Sequence, residues 1–389
     1  MRILMLAPTP YFADRGCHVR IYEEARALKA AGNEVHILTY HLGRDMPDIP
    51  VTRIPAIPWY NKLEAGPSWH KIYLDAMLLF KAVPLIVKFR PHIIHAHLHE
   101  GAFIGYFLKR MFRLPLIFDY QGSLTGECID HGFFSASSFA ARTFKQIESM
   151  INNFADKIIT SSSAADNELV NSWSVAPGKV VPVIDGVDTD AFRPLPQDEC
   201  REQAAIPRDV PVVAYLGVLS SYQGTDLLLD CIETLKRMGS SAHFLIMGFP
   251  CEQYRATAEA RGIGDVITFT GKIDYKDAST MLSAADIAVA PKLSLTEANG
   301  KLFNYMACGL PVVAFDTPVN REVLGDTGIY ARYADSEAMA LLIAKLLSDD
   351  KARKKLSVRV REKAVNEHSW KTRADKLVDV YRALVKTET

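Results

Sequence analysis

The sequence lacks the marks of several protein classes. Its six cysteines show no paired spacing, so they indicate neither a zinc site nor a disulfide framework, and they fit a reducing, cytoplasmic setting. No run reaches the ~20 consecutive apolar residues that a membrane-spanning helix needs. Basic and acidic residues both number 45, a balance that argues against a nucleic-acid-binding protein. No predicted strand leads into Gly-x-Gly-x-x-Gly, which leaves a nicotinamide oxidoreductase as a distant alternative.

Apolar runs of strand length alternate with amphipathic helical runs along both halves of the chain. Strands without polar alternation, separated by helices, predict parallel sheets covered on both faces. The predicted strands of the first half are Ile3–Ala7, Glu34–Tyr40, Ile93–His97, Leu116–Tyr120 and Lys157–Ser161. Those of the second half are Val210–Leu216, Ala242–Met247, Val266–Thr270, Ile287–Pro291 and Pro311–Phe315. The sequence therefore predicts an α/β protein with two Rossmann-like, doubly wound domains.

A polar, proline-punctuated stretch separates the two halves. We predict a first domain over residues 1–185, a linker over 186–209, a second domain over 210–368 and a C-terminal helix over 369–389. A chain of 389 residues is long for one domain and comfortable for two. In doubly wound folds ligands bind beyond the carboxyl ends of the strands, so we look for functional residues there.

The most informative segment runs from Ser294 to Asp316. Glu297 lies in a short polar turn, Gly300 precedes a predicted helix, and Lys301 stands in the first turn of that helix. The first backbone N–H groups of a helix are a natural seat for phosphate, and a carboxylate beside them can hold sugar hydroxyls. The alternative is a helix cap and turn without a ligand, because glutamate, asparagine and glycine are common there.

The end of this segment reads Met306-Ala-Cys-Gly-Leu-Pro-Val-Val-Ala. It resembles the nucleotide-sugar loop of retaining family 4 glycosyltransferases, in which Glu, seven residues, Glu is followed by Ala-Met-Ala-x-Gly-x-Pro-Val-Val-Ala. The resemblance implies the GT-B architecture, in which two Rossmann-like domains face a cleft and the final helix crosses back to the first domain. It implies an enzyme that transfers a hexose-type sugar, with retention and without a metal ion, from a UDP- or GDP-sugar to an acceptor hydroxyl. No further cofactor is expected.

The resemblance assigns roles residue by residue. Glu297 would hold the sugar hydroxyls, while Asp119 and Gln121 would lie near the transferred sugar, where Asp119 or Glu127 could polarise the acceptor hydroxyl. Lys301 stands where relatives usually have an apolar residue, and we expect it to stabilise the leaving diphosphate. The implied donor-binding residues are Gly16, Gly217, Gln223, Gly271, Lys272, Lys292, Asn299, Gly300, Leu302 and Asn304. The expected acceptor-binding residues are Arg15, His18, Arg20 and His97. The alternative is that the basic residues around the first turn are exposed to solvent at the start of a helix and bind no ligand.

The sequence departs from the family pattern at the diphosphate. Val218 and Gln223 stand where relatives have the arginine and lysine that clamp it, and Asn304 stands where they have a second glutamate. A charge-assisted hydrogen bond contributes roughly 1.5–3 kcal/mol, so losing both cations without compensation would weaken donor binding severely. Lys301 is the first candidate to replace that charge, and Lys292 is the second. These departures motivate the alternative of a non-catalytic relative that binds sugar nucleotides or glycans.

Two patterns have the spacing of metal ligands, and we favour neither. Asp188 and Asp190 lie in Gly-Val-Asp-Thr-Asp-x-Phe-x-Pro, which is a linker signature of the family. His95 and His97 share one side of a predicted strand, and His99 would continue the row only if the strand ran on. Relatives carry Asp-x-x-His-x-His here, with structural and sugar-facing roles. We therefore predict no metal site.

The window from Trp69 to Arg90 mixes aromatic, aliphatic and basic residues. Such a helix lies on a membrane surface in some proteins and packs on a sheet in others, and the sequence supports the two about equally. Because many family members glycosylate lipid-linked acceptors, the expected acceptor is a glycan or a polyprenyl- or lipid-linked molecule. The expected location is the cytoplasm, with peripheral contact at the inner membrane face as one option.

Overall fold

The structure, a computed structural model, describes residues 1–13, 16–63, 68–130, 132–295 and 299–386. The chain divides into two compact units. Unit 1 comprises Met1–Asp185 and Trp370–Thr389, and unit 2 comprises Gly186–Ser369. Each unit is built on one parallel β-sheet.

Unit 1 has a seven-stranded parallel sheet. Its strands are β1 (Arg2–Ala7), β2 (Glu34–Thr39), β3 (Val51–Arg53), β4 (Ile93–His97), β5 (Leu116–Tyr120), β6 (Lys157–Thr160) and β7 (Val180–Pro182). Its helices are α1 (Gly16–Ala30), α2 (Lys71–Phe89), α3 (Leu98–Phe112), α4 (Leu124–Asp130), α5 (Phe139–Ile151), α6 (Ser163–Asn171) and α15 (Trp370–Lys386). The strands lie in the order β3-β2-β1-β4-β5-β6-β7, and every pairing is parallel.

The central strands of this sheet are buried along their whole length. Every residue of β4 and β5 is buried, including the polar side chains of His95, His97 and Asp119. Helices α2, α3, α5 and α6 contribute to the apolar core on one face of the sheet, and α1 packs against α15. The five predicted strands are confirmed to within about one residue at each end. β3 and β7 were not predicted, because three residues carry too little periodicity to be recognised.

Unit 2 has a six-stranded parallel sheet. Its strands are β8 (Val212–Leu216), β9 (His243–Met247), β10 (Ile267–Phe269), β11 (Ile287–Ala290), β12 (Val312–Phe315) and β13 (Ile329–Ala331). Its helices are α7 (Gln197–Gln203), α8 (Thr225–Arg237), α9 (Glu252–Ala260), α10 (Ala278–Ser283), α11 (Lys301–Ala307), α12 (Pro318–Leu324), α13 (Ser336–Ser348) and α14 (Asp350–Glu367). The strands lie in the order β10-β9-β8-β11-β12-β13.

Each sheet reverses its winding direction once. The reversal falls between β1 and β4 in unit 1, and between β8 and β11 in unit 2. Ligands of doubly wound sheets bind beyond the carboxyl ends of the strands at this switch point. His97 ends β4, Gly217 follows β8, and Lys292 lies two residues beyond β11. Several of the expected site residues therefore lie where topology favours a ligand.

The segment expected as a linker folds as part of unit 2. The N–H of Val187 donates to the carbonyl of His368, and the Arg361 guanidinium donates to the carbonyl of Phe192. The segment also contains α7. At the other end, α15 returns to unit 1 and packs against α1, which confirms the crossover that the resemblance implied. Among the described residues, no helix combines the length and apolarity needed to cross a membrane.

Candidate functional site

Lys301 begins α11, and its ammonium group lies beside the carboxyl end of β8. Its Nζ donates hydrogen bonds to the hydroxyl oxygen of Tyr215, at 3.3 Å, and to Oε1 of Gln223, at 3.2 Å. The same Nζ lies 4.3 Å from the centre of the Tyr215 ring, which is a cation–π distance. Both hydrogen-bond acceptors are neutral. An ammonium group held by neutral oxygens is well suited to bind an anion.

A second lysine acts on the same group. Burial and the nearby charge of Lys292 lower the pKa of Lys301 to about 7. Burial disfavours the charged ammonium group, and the positive charge of Lys292 repels it. Lys292 is itself only 6% exposed, and its Nζ lies 5.8 Å from the centre of the Tyr222 ring. The two lysines that the sequence offers as replacements for the missing cations therefore interact with each other. An anion bound here would be attracted to both.

Two glycines let the loop after β8 approach this cluster. Gly217 has a φ of +144°, and a Cβ at this position would lie 2.9 Å from the Nζ of Lys301. A Cβ on Gly224 would lie 1.9 Å from the carbonyl oxygen of Pro291, so no side chain fits there. The tight loop between these glycines carries Gln223, which explains how Gln223 reaches Lys301.

The other donor-binding candidates around α11 differ in accessibility. Asn299 is buried, and its Nδ2 donates to Oδ1 of Asn320 at 3.0 Å. Its own Oδ1 has no hydrogen-bond partner in the described part of the chain. Leu302 is fully buried, Asn304 is half-buried and Gly300 is exposed. Leu302 can therefore offer a ligand only its backbone, whereas the side-chain carbonyl oxygen of Asn299 accepts no hydrogen bond from the described residues.

Gly271 and Lys272 follow β10, away from the lysine cluster. Gly271 has a φ of +72°, and the Nζ of Lys272 lies 5.7 Å from the centre of the Phe249 ring. Strand β9 lies between β10 and β8, so these residues lie roughly 10 Å along the sheet from the β8 loop. This spacing fits a separate part of a long ligand, such as the base of a nucleotide.

In unit 1, Arg20 is buried among carboxylates. Its Nε donates to both oxygens of Asp119, at 3.0 and 3.1 Å, its Nη2 donates to Asp119 at 2.8 Å, and its Nη1 bonds Asp185. Although burial alone lowers the pKa of Arg20, these carboxylates raise it well above its usual value. We expected Arg20 to bind the acceptor. Its 4% exposure and its ionic partners indicate a structural role instead.

Asp119 accepts two further hydrogen bonds. His97 donates from Nδ1 at 2.9 Å, and Gln121 donates from Nε2 at 2.7 Å. Burial favours the protonated acid, but Arg20 and His97 outweigh it and hold the pKa of Asp119 well below its usual range. A fully buried carboxylate kept ionised in this way is a weak base. The expectation that Asp119 polarises an acceptor hydroxyl therefore conflicts with its surroundings, and we assign it the orientation of His97 and Gln121.

His18 holds the first turn of unit 1 in place. Its Nδ1 accepts the backbone N–H of Ala13 at 2.9 Å, so Nε2 carries the proton and donates to Oγ1 of Thr9 at 2.7 Å. The ring is fully buried, which argues against the expected contact with an acceptor. Gly16, the first residue of α1, is exposed, and a Cβ there would meet no atom of the described residues within 4 Å.

A buried cluster next to this turn brings four potential metal ligands together. Donor atoms of Glu24, His95, His97 and Asp119 all lie within 4.8 Å of one another. The Nδ1 of His95 lies 2.5 Å from the hydroxyl of Tyr381 and 3.2 Å from Oε1 of Glu24. Burial raises the pKa of Glu24 and so favours its neutral acid. Because a guanidinium already neutralises Asp119, we assign this cluster to packing between α1, β4 and α15. His99 does not extend the row, since α3 begins at Leu98.

Comparisons with known proteins cover almost the whole chain. A sequence profile described as "Glycosyl transferases group 1" matches residues 196–363, and one described as "Glycosyl transferase 4-like domain" matches residues 15–186. Together these two glycosyltransferase profiles match most of the chain, which therefore belongs to the glycosyltransferases. The D-inositol 3-phosphate glycosyltransferase of Saccharomonospora viridis is 26% identical, over 94% of this chain and 89% of that protein. The phosphatidyl-myo-inositol mannosyltransferase of Mycobacterium leprae is 24% identical, over 99% and 97%.

A solved structure gives the same result for the fold of this glycosyltransferase. Anabaena HepE, in complex with UDP and glucose, superposes with a TM-score of 0.80 at 17% identity, over 99% of this chain and 100% of that one. The expected GT-B fold is thereby confirmed. Two expected site residues of the glycosyltransferase, Arg15 and Glu297, lie outside the described residues.

Sequence reasoning missed several residues of these clusters. Tyr215 precedes the glycine-containing loop and Tyr222 lies within it; their rings contact the two lysines, but neither residue carries a motif of its own. Asp185 is the last residue before the expected linker, and its pairing with Arg20 spans 165 positions. Tyr381 lies 286 positions from His95. Local patterns cannot reveal contacts of such sequence separation, although the resemblance did place the last helix on the first domain.

Proposed function

We propose that this glycosyltransferase moves a hexose-type sugar, with retention of configuration and without a metal ion, from a UDP- or GDP-sugar to an acceptor hydroxyl. The observation that carries the proposal is the lysine cluster at the switch point of unit 2. There the Nζ of Lys301 is held by Tyr215 and Gln223, and Lys292 lies nearby. The diphosphate of a nucleotide sugar carries two negative charges, which match this pair of lysines.

In this mechanism the lysines stabilise the leaving diphosphate. As the bond between the sugar carbon and the phosphate oxygen breaks, negative charge grows on that oxygen, and Lys301 and Lys292 attract it. They take over from the arginine and lysine that relatives carry at the positions of Val218 and Gln223. Two ammonium groups supply the positive charge that a divalent ion supplies elsewhere. Gln223 keeps a role by accepting a hydrogen bond that fixes the Nζ of Lys301.

Retention follows if the acceptor enters on the face that the phosphate leaves. The departing phosphate oxygen takes the proton of the acceptor hydroxyl while the new carbon–oxygen bond forms, so no protein nucleophile is required. Asp119, buried and bonded to Arg20, does not take that role. Gln121 is half-buried at the end of β5 and can hydrogen-bond sugar hydroxyls. Glu297 is proposed to hold the sugar, as the resemblance implies.

The names of two relatives limit the chemical class of acceptor that we propose. One relative is named for D-inositol 3-phosphate and another for phosphatidyl-myo-inositol. We therefore propose a polyhydroxylated acceptor, either a glycan or the headgroup of a lipid-linked molecule. UDP-glucose is the first donor to try, because the HepE structure holds UDP and glucose.

The test is calorimetric titration with UDP-glucose, GDP-mannose and the free diphosphates, followed by an assay of donor hydrolysis in EDTA. The expected result is binding of one nucleotide series and slow release of its diphosphate without added metal. Failure to bind any of them, or dependence of turnover on a divalent ion, would contradict the proposal. Binding without turnover across a panel of polyol and glycan acceptors would support the non-catalytic alternative.

A further inference from the structure

A cavity of about 410 Å³ lies in unit 2, at the end of α11 that is opposite Lys301. Its wall comes from α7, from the end of α10, from the turn after α11 and from the first two turns of α14. Its described wall residues are all distinct from those of the lysine cluster. Sites for small molecules usually measure ~300–1,000 Å³. This cavity therefore has the size of a site for one small ligand.

The wall of the cavity carries an excess of positive charge. On α14, the Arg353 guanidinium donates to Oδ1 of Asp350 at 2.6 Å, and the Nζ of Lys354 lies 2.7 Å from the other oxygen of the same carboxylate. Asp286 is the second carboxylate of the wall, and it is already paired with Arg201 at 2.8 Å. Counting Arg201, three cations face two carboxylates. An anionic group is therefore attracted to the side of the cavity that α14 forms.

The rest of the wall suits hydroxyl groups and an apolar surface. The Nε2 of Gln197 donates to a carbonyl and a carboxylate just before β11, so its Oε1 remains able to accept a hydrogen bond. The Oγ of Ser357 donates to the carbonyl of Gly309 at 2.6 Å and can accept a second bond. Leu195 and Leu310 supply apolar surface between these groups. A sugar ring presents both hydroxyls and C–H groups, and it matches this combination.

The cavity is connected to the lysine cluster by α11. The guanidinium of Arg361 on α14 donates to the carbonyl of Ala307, the last residue of α11, at 2.6 Å. Near the other end, the Tyr305 hydroxyl accepts the N–H of Leu216, at the end of β8, at 2.7 Å. α11 has seven residues, so only about 10 Å of helix separates the cavity from Lys301. A ligand that bridges α7, α14 and the turn after α11 would hold this short helix in place.

We propose that this cavity binds a small hydroxylated anion of the size of a hexose phosphate, and that the bound molecule acts on Lys301 through α11. A neutral sugar leaves the cations of α14 unused, and inorganic phosphate leaves the acceptors and the apolar surface unused. The binding step does not depend on the sugar donor. The action on Lys301 rests on the proposed function, in which this lysine binds the diphosphate.

The first test is calorimetric titration of the full chain with glucose 6-phosphate, glucose and inorganic phosphate. Glucose 6-phosphate should bind about tenfold more tightly than either of the other two, because it alone uses both parts of the wall. Leu195→Trp fills the cavity and should abolish binding. Lys301→Gln should leave binding intact, which separates this site from the lysine cluster.

Two neighbouring lysines of α14 provide a matched pair of variants. Lys354 lines the cavity, whereas Lys355 is equally classed as exposed and lies outside its wall. Lys354→Gln should raise the Kd for glucose 6-phosphate by about fivefold, and Lys355→Gln should leave it unchanged. Far-UV circular dichroism checks that each variant is folded.

The second test measures the coupling of the two sites. Saturating glucose 6-phosphate should lower the Kd for the diphosphate that binds, UDP or GDP, by about fivefold. The diphosphate should lower the Kd for glucose 6-phosphate by the same factor, because coupling between two binding sites is reciprocal.

The possible failures are distinguishable. The site would be overturned if glucose 6-phosphate did not bind, if it bound no more tightly than phosphate, or if Lys354→Gln and Lys355→Gln caused equal losses. A diphosphate Kd that did not fall at saturating glucose 6-phosphate would overturn the action on Lys301. If glucose 6-phosphate bound while neither UDP nor GDP did, the proposed function would fail and the cavity site would stand.

Discussion

The two units hold a cation in opposite ways. In unit 1, Arg20 contacts the carboxylates of Asp119 and Asp185, so its charge is neutralised inside the protein. In unit 2, the described hydrogen-bond acceptors of Lys301 are the neutral oxygens of Tyr215 and Gln223, and a second lysine lies nearby. Each cation lies near the switch point of its sheet. Their partners indicate a structural role for Arg20 and leave the charge of Lys301 available for the anion that we propose it binds.

This difference shows that position alone does not identify a binding residue. Arg20 and Lys301 both looked like ligand-binding cations, because both belong to segments that follow a strand and open a helix. Charged partners distinguish them. Removing one member of a buried ion pair leaves the other charge without a partner. Removing a lysine that is held by neutral groups leaves no charge unpaired. The two residues should therefore respond differently to the same substitution.

The largest expected effect is on stability, from Arg20→Gln. It leaves Asp119 and Asp185 without their cation, so the free energy of unfolding should fall by about 3–5 kcal/mol. Urea denaturation measures it. Arg208→Gln is the matched control, because Arg208 pairs with Glu202 on the surface, and its loss should cost at most about 1 kcal/mol. If Arg20→Gln kept full stability and raised only the KM for the acceptor, the contrast between the units would fail.

The next effect is on catalysis, from Lys301→Gln. Losing a charge-assisted contact of roughly 1.5–3 kcal/mol should lower kcat/KM for the nucleotide sugar by about 10- to 100-fold, with little change in unfolding. Lys301→Arg keeps the charge and should restore part of the loss. Lys276→Gln, at an exposed lysine of unit 2, should leave kcat/KM unchanged. Full activity of Lys301→Gln with the true donor would remove this residue from the site.

The pH dependence of donor affinity tests whether Lys301, unlike Arg20, gains its charged partner only when a ligand binds. The pKa of Lys301 is lowered to about 7 without a ligand, and a bound diphosphate should raise it. Below pH 7 the ammonium is already charged and affinity should be constant. Above pH 7 binding must take up a proton, so the Kd for UDP-glucose should rise, approaching about tenfold per pH unit.

Calorimetry between pH 6 and pH 9, in buffers of different ionisation enthalpy, measures both the Kd and the protons taken up. Lys301→Arg should abolish the slope, since arginine stays charged throughout. A slope that persists unchanged in Lys301→Arg would place the titrating group elsewhere.

Most of the fold could be predicted from local patterns, and the accessibility of the site residues could not. Apolar-rich runs predicted β4 and β5 with their correct bounds, although His95, His97 and Asp119 interrupt them, because most positions of a buried parallel strand are apolar. The same patterns cannot show whether a histidine such as His18 faces a ligand or bonds the backbone of its own turn. Burial depends on which distant segments pack nearby, and α15 alone brings Tyr381 onto the cluster around His95.

The lysine cluster of unit 2 was more predictable from the sequence than the Arg20 network of unit 1, for a physical reason. Phosphate recognition uses backbone, glycines and lysines at strand ends, and these leave a compact sequence signature around Gly217 and Lys301. The partners of Arg20 come instead from β5 and from the end of the first domain, at Asp119 and Asp185. A network assembled from several segments leaves no single pattern to recognise.

The smallest expected effect concerns the hydroxyl that ties α15 to unit 1. Tyr381→Phe removes the hydrogen bond to Nδ1 of His95 inside a fully buried cluster, so the free energy of unfolding should fall by about 1–3 kcal/mol. Tyr333→Phe, which removes a bond from an exposed hydroxyl to the carbonyl of Leu293, should cost about 0.5–1.5 kcal/mol at most. Amide hydrogen exchange should show the loss in α15 first. If Tyr381→Phe instead left exchange unchanged and lowered kcat, the unit 1 cluster would take part in catalysis, and the contrast with Lys301 would disappear.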